Sequence, residues 1–268
     1  MDGQPTYALL VGAHSDVGPR RRNNQDAGFA GDDLLLIADG VGGNPAGDLA
    51  SALIVRTLTE LLCPRAACNE STLRDQVALA NARLARTGRE HPILRGMATT
   101  LTGLVLVPGG AYVLHVGDSR AYRWREGVLE QLTSDQSWRE LLLSQGLVDP
   151  AAMQHHPMRN MLLHSLSGAL SDPEAVQIYP IELRVGDRWL LATDGLTSYL
   201  PSDELAALTA ELEQPQLLAD TLVRQCWPQS GDNISVVVGD VGTGRSSGRG
   251  RFIGSAAGPL SKTLQRAV

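Results

Sequence analysis

Four aspartates stand where apolar runs begin or end. Leu34-Leu35-Leu36-Ile37-Ala38 leads into Asp39-Gly40-Val41-Gly42-Gly43, and Leu190-Leu191-Ala192-Thr193 leads into Asp194-Gly195-Leu196. Val113-Leu114-His115-Val116 leads into Gly117-Asp118-Ser119-Arg120, and Gly231-Asp232-Asn233 directly precedes the run Ile234–Val238. A carboxylate at the mouth of a buried strand is costly when desolvated and unpaired. Several together need positive charge from arginines or bound cations, because the chain has a single lysine, Lys262. Oxygen donors suit hard divalent ions such as Mg2+ or Mn2+, and neighbouring glycines let main-chain carbonyls approach. Two such ions about 3.5–4 Å apart can activate a bridging water for in-line attack on phosphorus. Asp-Gly is also a common turn dipeptide, so each site taken alone reads as a turn. Spacing by itself does not bring the four together.

A second group of reactive types lies after the first apolar run. Ser15-Asp16-Val17-Gly18-Pro19-Arg20-Arg21-Arg22-Asn23-Asn24-Gln25-Asp26 concentrates arginine, amides and carboxylates in a loop. The guanidinium fork matches phosphate oxygens. Taken alone, the loop also reads as a solvated basic turn.

The elements that must position these residues alternate short strands with helices. Strands are expected over Tyr7–Ala13, Leu34–Ala38, Thr100–Val107, Ala111–Val116, Ala121–Arg125, Val128–Leu132, Ala175–Leu183, Arg188–Thr193 and Ile234–Val241. Pro108-Gly109-Gly110, Glu126-Gly127 and Gly186-Asp187 read as tight turns between them. A first helix is expected to start at Asn44-Pro45 and run to about Leu62. Others are expected over Ser71–Arg89, Ser134–Gln145, Ser202–Glu211 and Gln214–Cys226. Tight turns between strands and helices in blocks indicate a mainly antiparallel α+β fold.

Composition narrows the function. Of 268 residues, 43% are hydrophobic and 19% charged, which describes a globular chain rather than a disordered one. A formal charge of -6 argues against a general nucleic-acid binder. The single lysine, outside any Gly-Lys-Ser/Thr, excludes a Walker-type phosphate loop. Cys63, Cys68 and Cys226 form no C-x-x-C pair and read as packing thiols in a reducing compartment. No run is long enough for a membrane span, and the start shows no basic leader, so the expected location is cytoplasmic. Residues 1–241 carry 18 basic and 29 acidic residues, whereas 242–268 carry five basic and no acidic ones. The expected division is one catalytic domain over 1–241 and a disordered Gly/Ser/Arg-rich tail over 242–268.

In this order, SDVGPRRRNNQD, ADGVGG, GMATTLTG, VGDSRAYRW, ATDGL and GDNIS span residues 15–235. They resemble the bacterial form of the metal-dependent (type 2C) protein serine/threonine phosphatases. The resemblance implies a four-layer sandwich, two central antiparallel β-sheets flanked by helices on both sides, with a metal site at one end. It implies two Mn2+ or Mg2+ ions, and a third as in many bacterial members. By motif, Asp39 would bridge the two ions and the Gly40 carbonyl would bind one. Asp194 and Asp232 would complete the other ion's shell, and Asp118 would share the third with Asp194. Asp26 would stand behind the ligands and orient water. Arg21 would bind the substrate phosphate, flanked by Arg20 and Arg22. Asn233 and Thr99/Thr100 would support the site without ligating. The implied reaction is hydrolysis of phosphoserine and phosphothreonine in proteins by a water or hydroxide bridging the metals. The implied setting is a monomer opposing a Ser/Thr kinase.

Departures from the family pattern locate the open questions. Val41 stands where many eukaryotic members carry a histidine that could protonate the leaving group. Gln25 replaces a common glutamate, and Gln136 a common histidine. Residues 134–171 correspond to the family's mobile flap. Its His155-His156-Pro157 and Arg159-Asn160 read as flap structure before chemistry. A serine hydrolase built on Gly117-Asp118-Ser119 lacks the G-x-S-x-G elbow.

Overall fold

The computed structural model describes residues 6–41, 46–62, 68–153 and 156–260. Its strands are β1 (Tyr7–Asp16), β2 (Asp26–Gly31), β3 (Leu34–Asp39), β4 (Leu101–Val107), β5 (Gly110–Val116), β6 (Arg120–Arg125), β7 (Val128–Gln131), β8 (Gln177–Ile181), β9 (Arg188–Ala192), β10 (Ile234–Thr243) and β11 (Gly250–Gly254). Its helices are α1 (Gly47–Leu61), α2 (Glu70–Glu90), α3 (Trp138–Ser144), α4 (Pro150–Met153), α5 (Asp172–Ala175), α6 (Asp194–Thr197), α7 (Ser202–Glu211) and α8 (Pro215–Cys226). The strands form two sheets, ordered β1-β10-β9-β6-β7 and β11-β2-β3-β4-β5-β8, and every pairing is antiparallel.

Alternation of side chains along each strand explains the continuous apolar runs. On β3, Leu34, Leu36 and Ala38 face the core under α1 and α2, while Leu35 and Ile37 face the other sheet. On β9, Trp189 and Leu191 point between the sheets, while Leu190 and Ala192 pack under α7 and α8. A strand covered on both faces must be apolar at every position. Each large aliphatic side chain buried this way contributes on the order of 1.5–3 kcal/mol. The result is helix, sheet, sheet, helix: the expected α+β sandwich.

Two strands escape the sequence reading. β2 reads Asp-Ala-Gly-Phe-Ala-Gly, poor in strand-favouring residues, yet all six positions are buried between β3 and β11. Tertiary packing overrides weak local propensity there. β11 corrects the expectation of disorder after residue 242. β10 runs on to Thr243, and Gly250–Gly254 pairs with β2 in register Gly254↔Ala27. The rings of Phe252 and Phe29 meet at a tilt with centroids 5.0 Å apart, and Ile253 and Ala256 enter the cores. A few apolar residues among the arginines and glycines suffice to close the sheet edge. Residues 261–268 of that tail, Cys63, His155 and the expected Asn44-Pro45 cap lie outside the described residues.

Local chemistry also sets the helix limits. α2 starts at Glu70 because Asn69 and Thr72 form a reciprocal capping box. α3 starts later than expected because the Ser137 side chain accepts from Glu140 N, making Ser137 the cap.

Candidate active site

The carboxylates converge because the ends of β2, β3, β5, β6, β9 and β10 meet at one edge of the sandwich. Asp39 closes β3, and Asp26 opens β2 directly opposite it in the ladder. Asp118 lies in the turn that carries the chain from β5 in one sheet to β6 in the other. Asp194 follows β9 and opens α6, and Asp232 lies two residues before β10. Gly195 is where these last two segments touch, since a Cβ there would fall 1.9 Å from the Asn233 carbonyl oxygen. A pocket of about 320 Å³ is lined by Arg21, Gln25, Asp39, Gly40, Val41, Thr100, Asp118, Asn160, Leu162, Asp194 and Asp232. Asp26 is fully buried behind it.

The main chain of Asp39 is held from behind. Thr100 Oγ1 accepts from Asp39 N at 2.9 Å, and Thr99 Oγ1 donates to Asp39 O at 2.8 Å. Ser119 is fully buried with its Oγ 2.9 Å from Thr100 Oγ1, which removes the serine-nucleophile reading. Asn233 clamps the N-terminal loop: its Nδ2 donates to Val17 O and Asn23 O, and its Oδ1 accepts from Gln25 N. Gly40 N donates to Gln25 O, and Gly40 packs on Gly47 at the start of α1. Thr193 Oγ1 donates to Asp26 Oδ2 at 2.9 Å. Thr193 was legible only as the residue before Asp194-Gly195, a position that gave no hint of this contact.

Electrostatically the cluster is strained. Burial, then repulsion from Asp26, Asp194, Asp118 and Asp232, lifts the Asp39 carboxyl well above the usual carboxylate range. Burial and the charges of Asp194 and Asp135 do the same to Asp118. Asp26 is pushed up to about 7, mainly by burial, although Ser235 and Thr193 ease its charge. Asp194 is pushed up to about 6 by burial and by Asp232; a hydrogen bond with Asp39 and the charge of Arg21 offset part of this. Asp26 Oδ1 and Asp194 Oδ1 are buried with no hydrogen-bond partner among the described residues. Such orphaned oxygens are costly, and an oxygen-seeking cation would satisfy them. The donor set therefore fits hard divalent ions. Among the described residues, no three acidic, histidine or cysteine side chains form a ready cage. One member of the set is already engaged, since Asp232 is turned to Arg21.

Arg21 stands at the pocket edge. Its Nη2 donates to Asp232 Oδ2 at 2.5 Å and its Nε to Gly231 O at 3.2 Å, with the side chain 40% exposed. From the flap, Asn160 and Leu162 reach the main pocket. Arg159 lines a neighbouring cavity with Arg139, and His156 Nδ1 only accepts from Met158 N in a local turn. Arg120 forks onto Asp135 at 2.8 Å through both arms, fixing the start of the flap to β6.

The family model for protein phosphatase 2C matches residues 19–226. The chain belongs to the protein phosphatase 2C family. It is 34% identical over 238 residues to the serine/threonine protein phosphatase PstP of Mycobacterium tuberculosis, covering 88% of this chain and 46% of that protein. It thus spans about half the length of that relative. It is 30% identical over 235 residues to the serine/threonine phosphatase stp of Listeria monocytogenes, covering 84% of this chain and 92% of that protein. The crystal structure of M. tuberculosis PstP superposes with a TM-score of 0.80 at 32% identity, covering 87% of this chain and 98% of that one. A crystal structure of the PstP catalytic domain in complex with two manganese ions gives a TM-score of 0.79 at 32% identity, covering 88% and 99%. No helix among the described residues is long and apolar enough to cross a membrane.

Proposed function

We propose that this chain is a metal-dependent protein serine/threonine phosphatase, with phosphoserine and phosphothreonine proteins as substrates. The observation that carries this reading is the set of deep-set aspartates, delivered by separate strand ends, that repel one another around a single pocket. In this reading Asp39, the Gly40 carbonyl, Asp194 and Asp232 hold two Mn2+ or Mg2+ ions, and Asp118 with Asp194 serves a third. Such ions supply an acidified water and neutralise phosphoryl oxygens.

The chain's own residues do the rest. Arg21 offers its fork to the substrate phosphate at the pocket rim. Thr99 and Thr100 fix the Asp39 main chain, so its carboxylate needs little reorganisation during the reaction. Asp26 stands behind the ligands, oriented by Thr193, and can hold a proton near neutral pH. Val41 and Leu162 give the pocket an apolar wall. Val41 has no group to protonate the leaving alcohol, so that proton comes from elsewhere.

The named relatives support phosphorylated Ser/Thr proteins as substrates. A Ser/Thr kinase is proposed as the opposing activity. The proposed working form is a cytoplasmic monomer. The test is hydrolysis of a phosphothreonine peptide with Mn2+, with and without chelator. Metal-dependent release of phosphate is expected; activity that survives the chelator would overturn the reading.

A further inference from the structure

We propose that the C-terminal strap, residues 250–258, is a positioning element of the active site. Through Gly254 and Ser255 it sets the main chain of Gln25 and Asp26, and thereby the strength of cation binding. The proposal rests on the metal reading above, and the strap lies outside the residues matched by the family model.

The argument starts at the end of β11. Gly254 has φ 61° and ψ -140°, a combination open essentially to glycine. A Cβ there would fall 2.2 Å from Asp26 O and 2.9 Å from Ser15 Oγ. The strap is thus pressed directly onto the residue behind the proposed metal ligands. Ser255 Oγ then donates to Asp26 O at 3.0 Å. It also lies 3.0 Å from Ser51 Oγ, which donates to Gln25 O at 2.5 Å. The same Gln25 carbonyl accepts from Gly40 N, beside Asp39. One seryl pair therefore reaches both Asp26 and Gly40.

The strap is rigid enough to transmit position. Arg56 lies over the Phe252 ring at 4.6 Å and donates to Ala256 O and Gly258 O. Arg251 donates to Ala13 O on β1. A separate anchor lies away from the site, where Ser246 and Ser247 donate to Asp32 and Asp33. That second anchor supplies the control. Both anchor the C-terminal segment, but only the first touches Asp26.

The experiment titrates Mn2+ calorimetrically into the full chain and its variants, with melting temperature measured alongside. Groups that orient metal ligands are worth roughly 10–100-fold in affinity. Ser255→Ala is expected to weaken Mn2+ binding about tenfold, with Ser255→Thr restoring it and Gly254→Ala weakening it further. Ser246→Ala with Ser247→Ala is expected to lower the melting temperature and leave Mn2+ affinity unchanged. If Gly254→Ala does not fold, Ser255→Ala against Ser255→Thr decides. Unchanged affinity in Ser255→Ala, or an equal loss in the Ser246/Ser247 variant, overturns the proposal and leaves the metal reading standing. A wild-type chain that binds no Mn2+ overturns both.

Discussion

The two ends of β9 carry aspartates in different company. At its start Asp187, 1% exposed, accepts both arms of Arg125 at 2.6 Å and also Arg184 N. One residue on, Arg188 forks onto Asp240 of β10 and donates to the carbonyls of Thr209, Leu212 and Glu213. At the other end of the strand Asp194 meets Asp39, Asp232, Asp118 and Asp26. Arg21 and Arg120 are the cations that ease this group, and Arg120 is already forked onto Asp135. One end satisfies its acids within the chain. The other leaves them needing charge from outside, as a binding site for cations requires.

The same substitution at each end should break this contrast in opposite ways. Asp187→Asn leaves the Arg125 guanidinium without its counter-charge. Removing one member of a buried pair costs about 3 kcal/mol or more. The expected outcome is a large fall in chemical-denaturation stability with Mn2+ affinity intact. A stability change near zero would show that the pair contributes little. Asp39→Asn should instead lower phosphatase activity at least about a hundredfold, near 2.7 kcal/mol of barrier. It should also raise the melting temperature of the metal-free protein, because burial and the neighbouring acids make an ionisable group costly there. A fully active Asp39→Asn enzyme, or one destabilised without metal, would sink the assignment.

This contrast was only half legible in the sequence. Asp39, Asp118, Asp194 and Asp232 stand out because each interrupts a run that is apolar on both faces. The period-2 alternation of β3 and β9 hides in such runs, yet their ends remain sharp. What could not be read is the company each acid keeps. Asp187 also sits beside glycine at a strand end and read simply as a turn; only the fold brings Arg125 to it. The N-terminal loop shows its arginines, but not that Arg21 rests on Asp232. β2 and β11 went unread because their stability comes from neighbours rather than from their own residues. With β11 went the contact between Ser255 and Asp26.

Acidity offers a third way to separate the two ends. Asp26 and Asp194 ionise near 7 and 6 when folded, against about 4 when unfolded. Between those values the folded chain holds protons that the unfolded chain has released, so stability falls as pH rises. The metal-free protein should therefore melt at a higher temperature at pH 5 than at pH 8, as far as these groups decide. Mn2+ binding requires deprotonated ligands, so the rise in melting temperature that it produces should grow from pH 5 to pH 8. Melting curves at both pH values, with chelator and with Mn2+, check both signs. A Mn2+ effect that is larger at pH 5 would place the binding groups elsewhere.

The smallest expected effect concerns Arg21 at the rim. Arg21 holds Asp232 in the structure, yet the proposed role is to hold phosphate. The two roles make different predictions for Arg21→Ala. If Arg21 chiefly supports Asp232, Mn2+ affinity should fall together with activity. If it serves phosphate, its loss frees Asp232 for the cation, and Mn2+ affinity should hold or rise. KM for a phosphothreonine peptide should then increase about tenfold, equal to about 1.4 kcal/mol, near the low end of what one charged hydrogen-bonding partner contributes. Calorimetry with Mn2+ and steady-state kinetics on the same variant separate the alternatives. Equal losses in metal affinity and substrate affinity would return Arg21 to the structural group, alongside Arg125 and Arg188.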